Sequence, residues 1–255
     1  MTTRVRALLS LGLFSVVVVA LLVGLGVWQL QRLAWKEALI AMTRANATAP
    51  PVAPPAEAEW PTLDAATLEY RHVKVEGVFE TGATVFLFTP EPLHPRPGHD
   101  GPGYLVMTPL ALNDGSRILV DRGYIAAERQ PDFLRDDALS GAEAPSVVIG
   151  LIRLSEPRRW FSPHDDLFKR LWFTRDIAGI AAAQRLERVA PFSIDADATG
   201  DQNAVPEPGQ ARLNFPNDHL QYAVTWFGLA LVWAGAYAAF AWTTLKMENA
   251  GPGGR

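Results

Sequence analysis

Apolar and polar positions divide this chain into three blocks. Leu8 to Leu30 runs 23 residues without a charged side chain, and Tyr222 to Trp242 runs 21. At about 1.5 Å of rise per residue, each makes a helix of roughly 30 Å, the thickness of bilayer hydrocarbon. Between these blocks the apolar period shortens to two. Tyr70 to Phe79 (YRHVKVEGVF) alternates, with Val73, Val75 and Phe79 as buried candidates. Thr84–Phe88, Tyr104–Leu112, Arg117–Tyr124 and Val147–Leu154 are further β-rich runs, and Asn113-Asp114-Gly115 reads as a hairpin turn. One internal helix is expected over Ile177 to Arg188, with Thr174 as N-cap and Asp176 in its first turn.

Charge gives these blocks a direction. Residues 1–30 carry +2 and residues 243–255 carry +1, so the overall −4 leaves −7 for residues 31–218. Positive flanks stay in the cytoplasm. Both termini are therefore expected there, with the acidic middle on the other side. Arg4 and Arg6 also suit the n-region of a signal peptide, but the apolar run is too long for an h-region and the nearby A-x-A, Ala45-Asn46-Ala47, lies far beyond it. The fold class predicted is an α+β membrane protein. Its two transmembrane helices, N- and C-terminal, flank a β-rich, mainly antiparallel extracytoplasmic domain, a small open barrel.

The expected organisation is a cytoplasmic tail over residues 1–7 and transmembrane helix 1 over 8–30. An amphipathic exit and Pro-rich tether follow over 31–61, then the β-rich domain over 62–195. A second tether over 196–218, transmembrane helix 2 over 219–242 and a cytoplasmic tail over 243–255 complete it. Absence of cysteine removes disulfides, thiol copper carriers, iron–sulfur centres and CxxCH haem attachment. The acidic middle lacks the basic footprint of nucleic-acid binding, so no nucleic-acid partner is expected.

Chemistry concentrates where the helices leave the bilayer. In the second helix His219, Tyr222, Trp226, Trp233, Tyr237 and Phe240 recur at helical spacing as one stripe. In the first, Gly12, Ser15, Val19, Leu22, Gly26 and Gln29 form a small-residue seam that admits a neighbouring helix, extended outward by Arg32 and Lys36. Trp28, Trp35, Tyr222 and Trp226 also satisfy an interfacial aromatic belt, and Arg32 and Lys36 ordinary snorkelling. His219 either ligates a metal or haem iron or caps the helix as a solvated imidazole. A tetrapyrrole stacked on Tyr222 and Trp226, its propionates on Arg32, Lys36 or Arg212, is physically compatible with this rim. His94, His99 and Asp100 lie in a Pro/Gly loop without rigid ligand spacing, and His72 and His164 read as surface residues. Asp121-Arg122 reads as a structural salt bridge in preference to a catalytic carboxylate, since no nucleophile motif accompanies it.

Five segments occur in the order found in one family. They are LGVWQLQRLAWKEAL (25–39), YRHVKVEGVF (70–79), GPGYLVMTPL (101–110), ILVDRGYI (118–125) and NDHLQYAVTWFGLA (217–230). The chain resembles the Surfeit-locus, or Shy-type, cytochrome oxidase assembly factors over essentially its whole length. The resemblance implies a non-enzymatic factor that assists haem a delivery or insertion into the large subunit of haem–copper cytochrome c oxidase. It implies that subunit as partner, haem a synthase as a further one, and a bilayer as surroundings. His219 corresponds to the histidine proposed as haem iron ligand in bacterial relatives, Trp28 and Gln29 to the family's Trp-Gln pair, and Gly103-Tyr104 to its central Gly-Tyr. The setting implied is the bacterial cytoplasmic (inner) membrane, with the main domain periplasmic. Tyr124 stands where the family often has Trp. The alternative reading is a cofactor-free scaffold that stabilises an early oxidase intermediate, with His219 as a cap. A membrane-tethered hydrolase using Asp121 is a third.

Overall fold

The computed structural model describes residues 3–93, 101–131, 135, 145–156, 158–201, 204–211, 213 and 215–249. It divides into a helical unit, residues 1–41 with 214–255, and a β unit, residues 42–213.

In the helical unit, α1 (Thr3–Thr48) continues far beyond the apolar run. Nothing in Gln29–Arg44 breaks a helix, and it stops only when Pro50 disfavours helical backbone at Ala49. The last helix, His219–Asn249, follows Pro216. Both are long and apolar enough to cross a membrane. The predicted seam on α1 is the packed face: Gly12, Ser15, Val19, Leu22, Gly26 and Gln29 are all buried or half-buried. Close approach explains the glycines. A Cβ on Gly26 would stand 2.7 Å from the Phe227 ring, and one on Gly12 2.5 Å from the Tyr237 hydroxyl, which donates to the Leu8 carbonyl at 3.1 Å.

The β unit contains α2 (Ala65–Leu68), β1 (His72–Phe79), β2 (Val85–Thr89), β3 (Gly103–Ala111), β4 (Arg117–Ala126), β5 (Ser146–Leu154), β6 (Leu171–Trp172), α3 (Ile177–Ala183) and β7 (Val189–Ala196). The helix His219–Asn249 is therefore α4. Strand order is β1-β5-β7-β4-β3-β2-β6, and Val78 and Phe79 of β1 also pair with Ala111 and Leu110 of β3. That pairing closes five strands into a barrel, leaving β2 and β6 as a flap on β3. Pairings are antiparallel except β4–β7 and β2–β6.

Val73, Val75, Leu110, Ile118, Val120, Ile152, Phe192 and Ile194 fill the barrel. Met107 and Leu119, on the opposite face of their strands, pack under α3 with Trp172, Ile177 and Ile180. β4 is thus buried on both faces. Leu112 N–H bonds the Ser116 carbonyl across the Asn113-Asp114-Gly115 turn, with Gly115 at φ +81°, as its residues predict.

Three expectations change. The N-cap of α3 is Asp176, whose carboxylate accepts from Gly179 N–H at 3.0 Å, not Thr174. The helix ends at Ala183 because Arg185 takes left-handed backbone at φ +56°. Both Pro-rich stretches are fastened to the barrel. Val52 bridges Val73, and Trp60 and Leu63 cover the core. Glu207 and Tyr124 exchange two 2.8 Å backbone hydrogen bonds.

Candidate functional site

His219 is the first residue of α4, so its imidazole stands beside backbone N–H groups still without helical partners. Its Nδ1 lies 2.7 Å from Gln29 Oε1, and Gln29 is buried on the inner face of α1. An amide oxygen accepts, so Nδ1 carries a proton, and in the neutral ring Nε2 presents its lone pair. This is the arrangement by which metal-ligating histidines have their tautomer fixed from behind. Lys36, two turns beyond Gln29, donates to the carbonyl of Pro216 just before α4. Gln29 and Lys36 together fix where α4 begins.

The other rim residues are distributed differently from the expected stripe. The α4 face toward α1 carries His219, Ala223, Phe227, Ala230 and Tyr237, all buried or half-buried. Tyr222 and Trp28 are more than half exposed, and Trp226 is half-buried. Alanines occupy the contact because small side chains let helix backbones approach, which turns the larger rings outward. Arg32 is exposed, its guanidinium 3.9 Å from the centre of the Trp35 ring. Apolar grooves of about 200 and 410 Å³ flank Ser15 and Tyr237, the latter roughly 27 Å along α4 from His219. A cleft of about 870 Å³, with Phe79, Arg122, Asp197 and Val205 on its walls, lies on the barrel. His94, His99, Asp100 and Arg212 lie outside the described residues.

The two central motifs interlock. The Tyr124 hydroxyl donates to the Gly101 carbonyl at 2.8 Å, and a Cβ on Gly103 would stand 2.4 Å from the Tyr124 ring. Gly123, at φ +128°, lets β4 approach the Glu207 backbone so closely that a Cβ would stand 2.1 Å from its carbonyl oxygen. GPGY and DRGY are therefore one structural joint.

Comparison with known proteins agrees with the family resemblance. The SURF1 family model matches residues 16–231. The chain belongs to the SURF1 family. It is 31% identical to Surfeit locus protein 1 of Takifugu rubripes over 239 residues, covering 89% of this chain and 95% of that protein. The human Surfeit locus protein 1 is 34% identical over 217 residues, 81% of this chain and 69% of the other. A bacterial SURF1-like protein, from Rickettsia felis, is 31% identical over 215 residues, 83% and 88% respectively. The SURF1 match includes Gln29, His219 and both central motifs.

This SURF1-family chain also holds a buried ionic cluster that its sequence conceals. Asp121, expected to pair with Arg122, instead faces Arg175, whose Nη2 lies 3.6 Å from its Oδ2. Arg122 stacks over the Phe79 ring at 4.6 Å. Arg175 also donates to Asp195 Oδ1 at 2.6 Å and Ser193 Oγ at 2.9 Å. Arg153 reaches Asp195 Oδ2 at 3.2 Å and Glu69 at 2.9 Å. Asp121 and Asp195 are in register on β4 and β7, each 2% exposed. Burial, then the charge of Asp195, pushes the Asp121 carboxyl up to about 7, against the pull of Arg175. Its Oδ1 accepts from Gly123 N–H at 2.9 Å, and its Oδ2 has no hydrogen-bond partner among the described residues.

His72, expected at the surface, is mostly covered. Its Nε2 meets Asp197 at 2.8 Å and its Nδ1 meets the Ala49 carbonyl at 2.8 Å. Burial pushes the Tyr70 phenol up. Arg175, Asp195 and His72 gave no motif because their partners come from other strands. His164 is exposed, as expected.

Proposed function

We propose that this chain is a membrane-anchored, non-catalytic assembly factor for haem–copper cytochrome c oxidase, presenting haem a to the large subunit, with haem a synthase as the upstream partner. In this reading α1 and α4 span the bacterial inner membrane, both termini are cytoplasmic and the barrel is periplasmic. Family membership supports the assembly role, the two apolar helices support the anchoring, and the charge distribution supports the orientation. The observation that carries the haem part is the His219–Gln29 hydrogen bond, which holds a proton on Nδ1 and leaves Nε2 as the ligating nitrogen of the ring.

The residues present fit a group that needs a single axial nitrogen. Haem a, when bound, supplies the iron centre and macrocycle that the oxidase requires. His219 would hold it through Nε2, and Gln29 holds the proton on Nδ1. Trp226 and Tyr222 offer ring faces on that rim, and Arg32 and Lys36 offer charge to carboxylates. Trp28 lies one residue before Gln29 and places a further indole there. A carrier must release its cargo to a tighter recipient, so one ligand serves better than a closed cage.

The full chain, co-produced with haem a synthesis and purified in detergent, should show a Soret band. His219→Ala should abolish it. Gln29→Leu, which keeps the helices packed but removes the acceptor, should weaken haem affinity by about 10–100-fold, as for other lost supporting partners of ligating histidines. A Soret band unchanged by His219→Ala removes His219 as ligand, and colourless protein that still co-purifies with the oxidase subunit establishes the scaffold reading instead.

A further inference from the structure

The segment between β5 and β6 does the opposite of what folding favours. Trp160 and Phe168 are 96% and 97% exposed, and Phe161 and Leu167 are more than half exposed. Four large apolar side chains in water are not held there by slackness in the chain, because two hydrogen-bonded turns display them.

In the first turn Ser162 N–H bonds the Arg159 carbonyl at 3.0 Å, and Arg159 N–H bonds Ser162 Oγ at 3.2 Å. This lifts Trp160 and Phe161 together, their rings edge to face at 5.5 Å. In the second, Asp166 and Leu171 exchange two 2.9 Å backbone bonds, and Arg170 at φ +52° reverses the chain. Asp166 Oδ1 accepts from Phe168 and Lys169 N–H at 3.1 and 3.0 Å, which fixes the tip. Asp165 joins the turns, pairing with Arg158 and accepting from Phe173 N–H.

Cations flank these rings. Arg159 is exposed, with its guanidinium 5.9 Å from the Phe161 ring, and Lys169, beside Phe168 and 3.8 Å from the Asp166 carboxylate, is two-thirds exposed. The middle of the chain is otherwise acidic, at −7 over residues 31–218. Trp, Phe and Leu interleaved with Arg and Lys is the composition of segments that lie in the headgroup layer of an anionic bilayer. A protein partner would instead be met by rings set within a ring of water-excluding contacts, whereas these tips stand clear of their own fold.

We propose that the Trp160–Phe161 and Leu167–Phe168 turns form a lipid-facing wedge, with the four side chains in the headgroup–acyl boundary and Arg159 and Lys169 on lipid phosphates. The proposal takes from the preceding section only that a bilayer lies within the chain's reach.

The chain has no cysteine and eight tryptophans, so a single introduced thiol reports better than intrinsic fluorescence. Phe168→Cys in the full chain, labelled with an environment-sensitive fluorophore, is placed in nanodiscs of phosphatidylcholine with or without phosphatidylglycerol. With phosphatidylglycerol, the label should shift to the blue, lose iodide accessibility severalfold and be quenched by nitroxides near the headgroups. Arg159→Glu with Lys169→Glu should reverse all three effects. Leu231→Cys in α4, exposed on that helix, should be quenched by deep nitroxides throughout. A Phe168→Cys label that stays iodide-accessible while Leu231→Cys is deeply quenched overturns the wedge and leaves the span reading intact. Protection that persists in detergent and ignores lipid nitroxides identifies a protein contact and also overturns it. Loss of quenching at Leu231→Cys refutes the spans, and the wedge with them.

Discussion

Asp121→Asn is the substitution whose effect the buried cluster defines most closely. The side chain is 2% exposed, and its carboxyl is displaced from an ordinary value of 3.8 to about 7. Its native state therefore binds a proton that the unfolded chain has released between those two values. Stability changes with pH as the protons bound in the unfolded state minus those bound in the native state, so this group makes stability fall as pH rises through that window. Below pH 4 it contributes nothing, and above 7 the full penalty applies.

At 1.36 kcal/mol for each tenfold change in proton affinity, the displacement corresponds to ~4 kcal/mol at most. Asparagine keeps the acceptor for Gly123 N–H and removes the titration. Urea unfolding of both proteins in the same detergent, repeated from pH 4 to 8, gives the difference curve. The variant should equal the wild type near pH 4 and exceed it progressively toward pH 7, by up to ~4 kcal/mol. Parallel curves would refute the assignment. An ionised Asp121, held by Arg175, would make the variant the less stable protein at neutral pH.

Two further substitutions test packing. Gly123→Ala strains a left-handed position and drives a Cβ into the Glu207 carbonyl. Strain of about 1–3 kcal/mol and the weakened Tyr124–Glu207 pair should together lower unfolding stability by roughly 3 kcal/mol or more, whereas Gly82→Ala, with open space around it, should have little effect. Gly26→Ile should force the Phe227 ring off α1, destabilise the helix pair by about 1–3 kcal/mol in a detergent melt, and leave the far-ultraviolet spectrum of the barrel unchanged.

The sequence exposed those parts of the fold whose cause is local. Apolar runs without charge gave both long helices, period-two alternation gave β1 to β5 within a residue or two at each end, and Asn-Asp-Gly gave the turn at 113–115. β7 escaped because its second face is polar yet buried. Ser193 and Asp195 point at Arg175, and only the five residues Phe192–Ala196 alternate, too short a run to stand out beside the Asp/Gly/Pro-rich stretch that follows. Pro191 further disguises it and is tolerated where the β4–β7 register shifts between Arg117 and Leu119. β6 is two residues long and has no periodicity to detect.

The candidate site divides the same way. Helical spacing placed Gln29 on the packed seam and put His219 at the head of α4. Only the folded chain shows that the two meet. The outward turn of Tyr222 was hidden, because the stripe drawn by ring-bearing residues is offset from the contact drawn by Ala223 and Ala230. Asp121 was mispaired with its sequence neighbour because adjacent residues on a strand point to opposite faces, and its true partner comes from the segment before α3.

The two atoms that meet at the imidazole belong to residues 190 positions apart. A ribosome adds the β unit after the first of them and before the second exists. Until the closing segment docks alongside the opening one, the Nδ1 proton has no amide to hold it, and either nitrogen can carry it. Tautomer control therefore waits on the pairing of α1 with α4: a product terminated before residue 219, however well its barrel folds, lacks the histidine and the competence it confers.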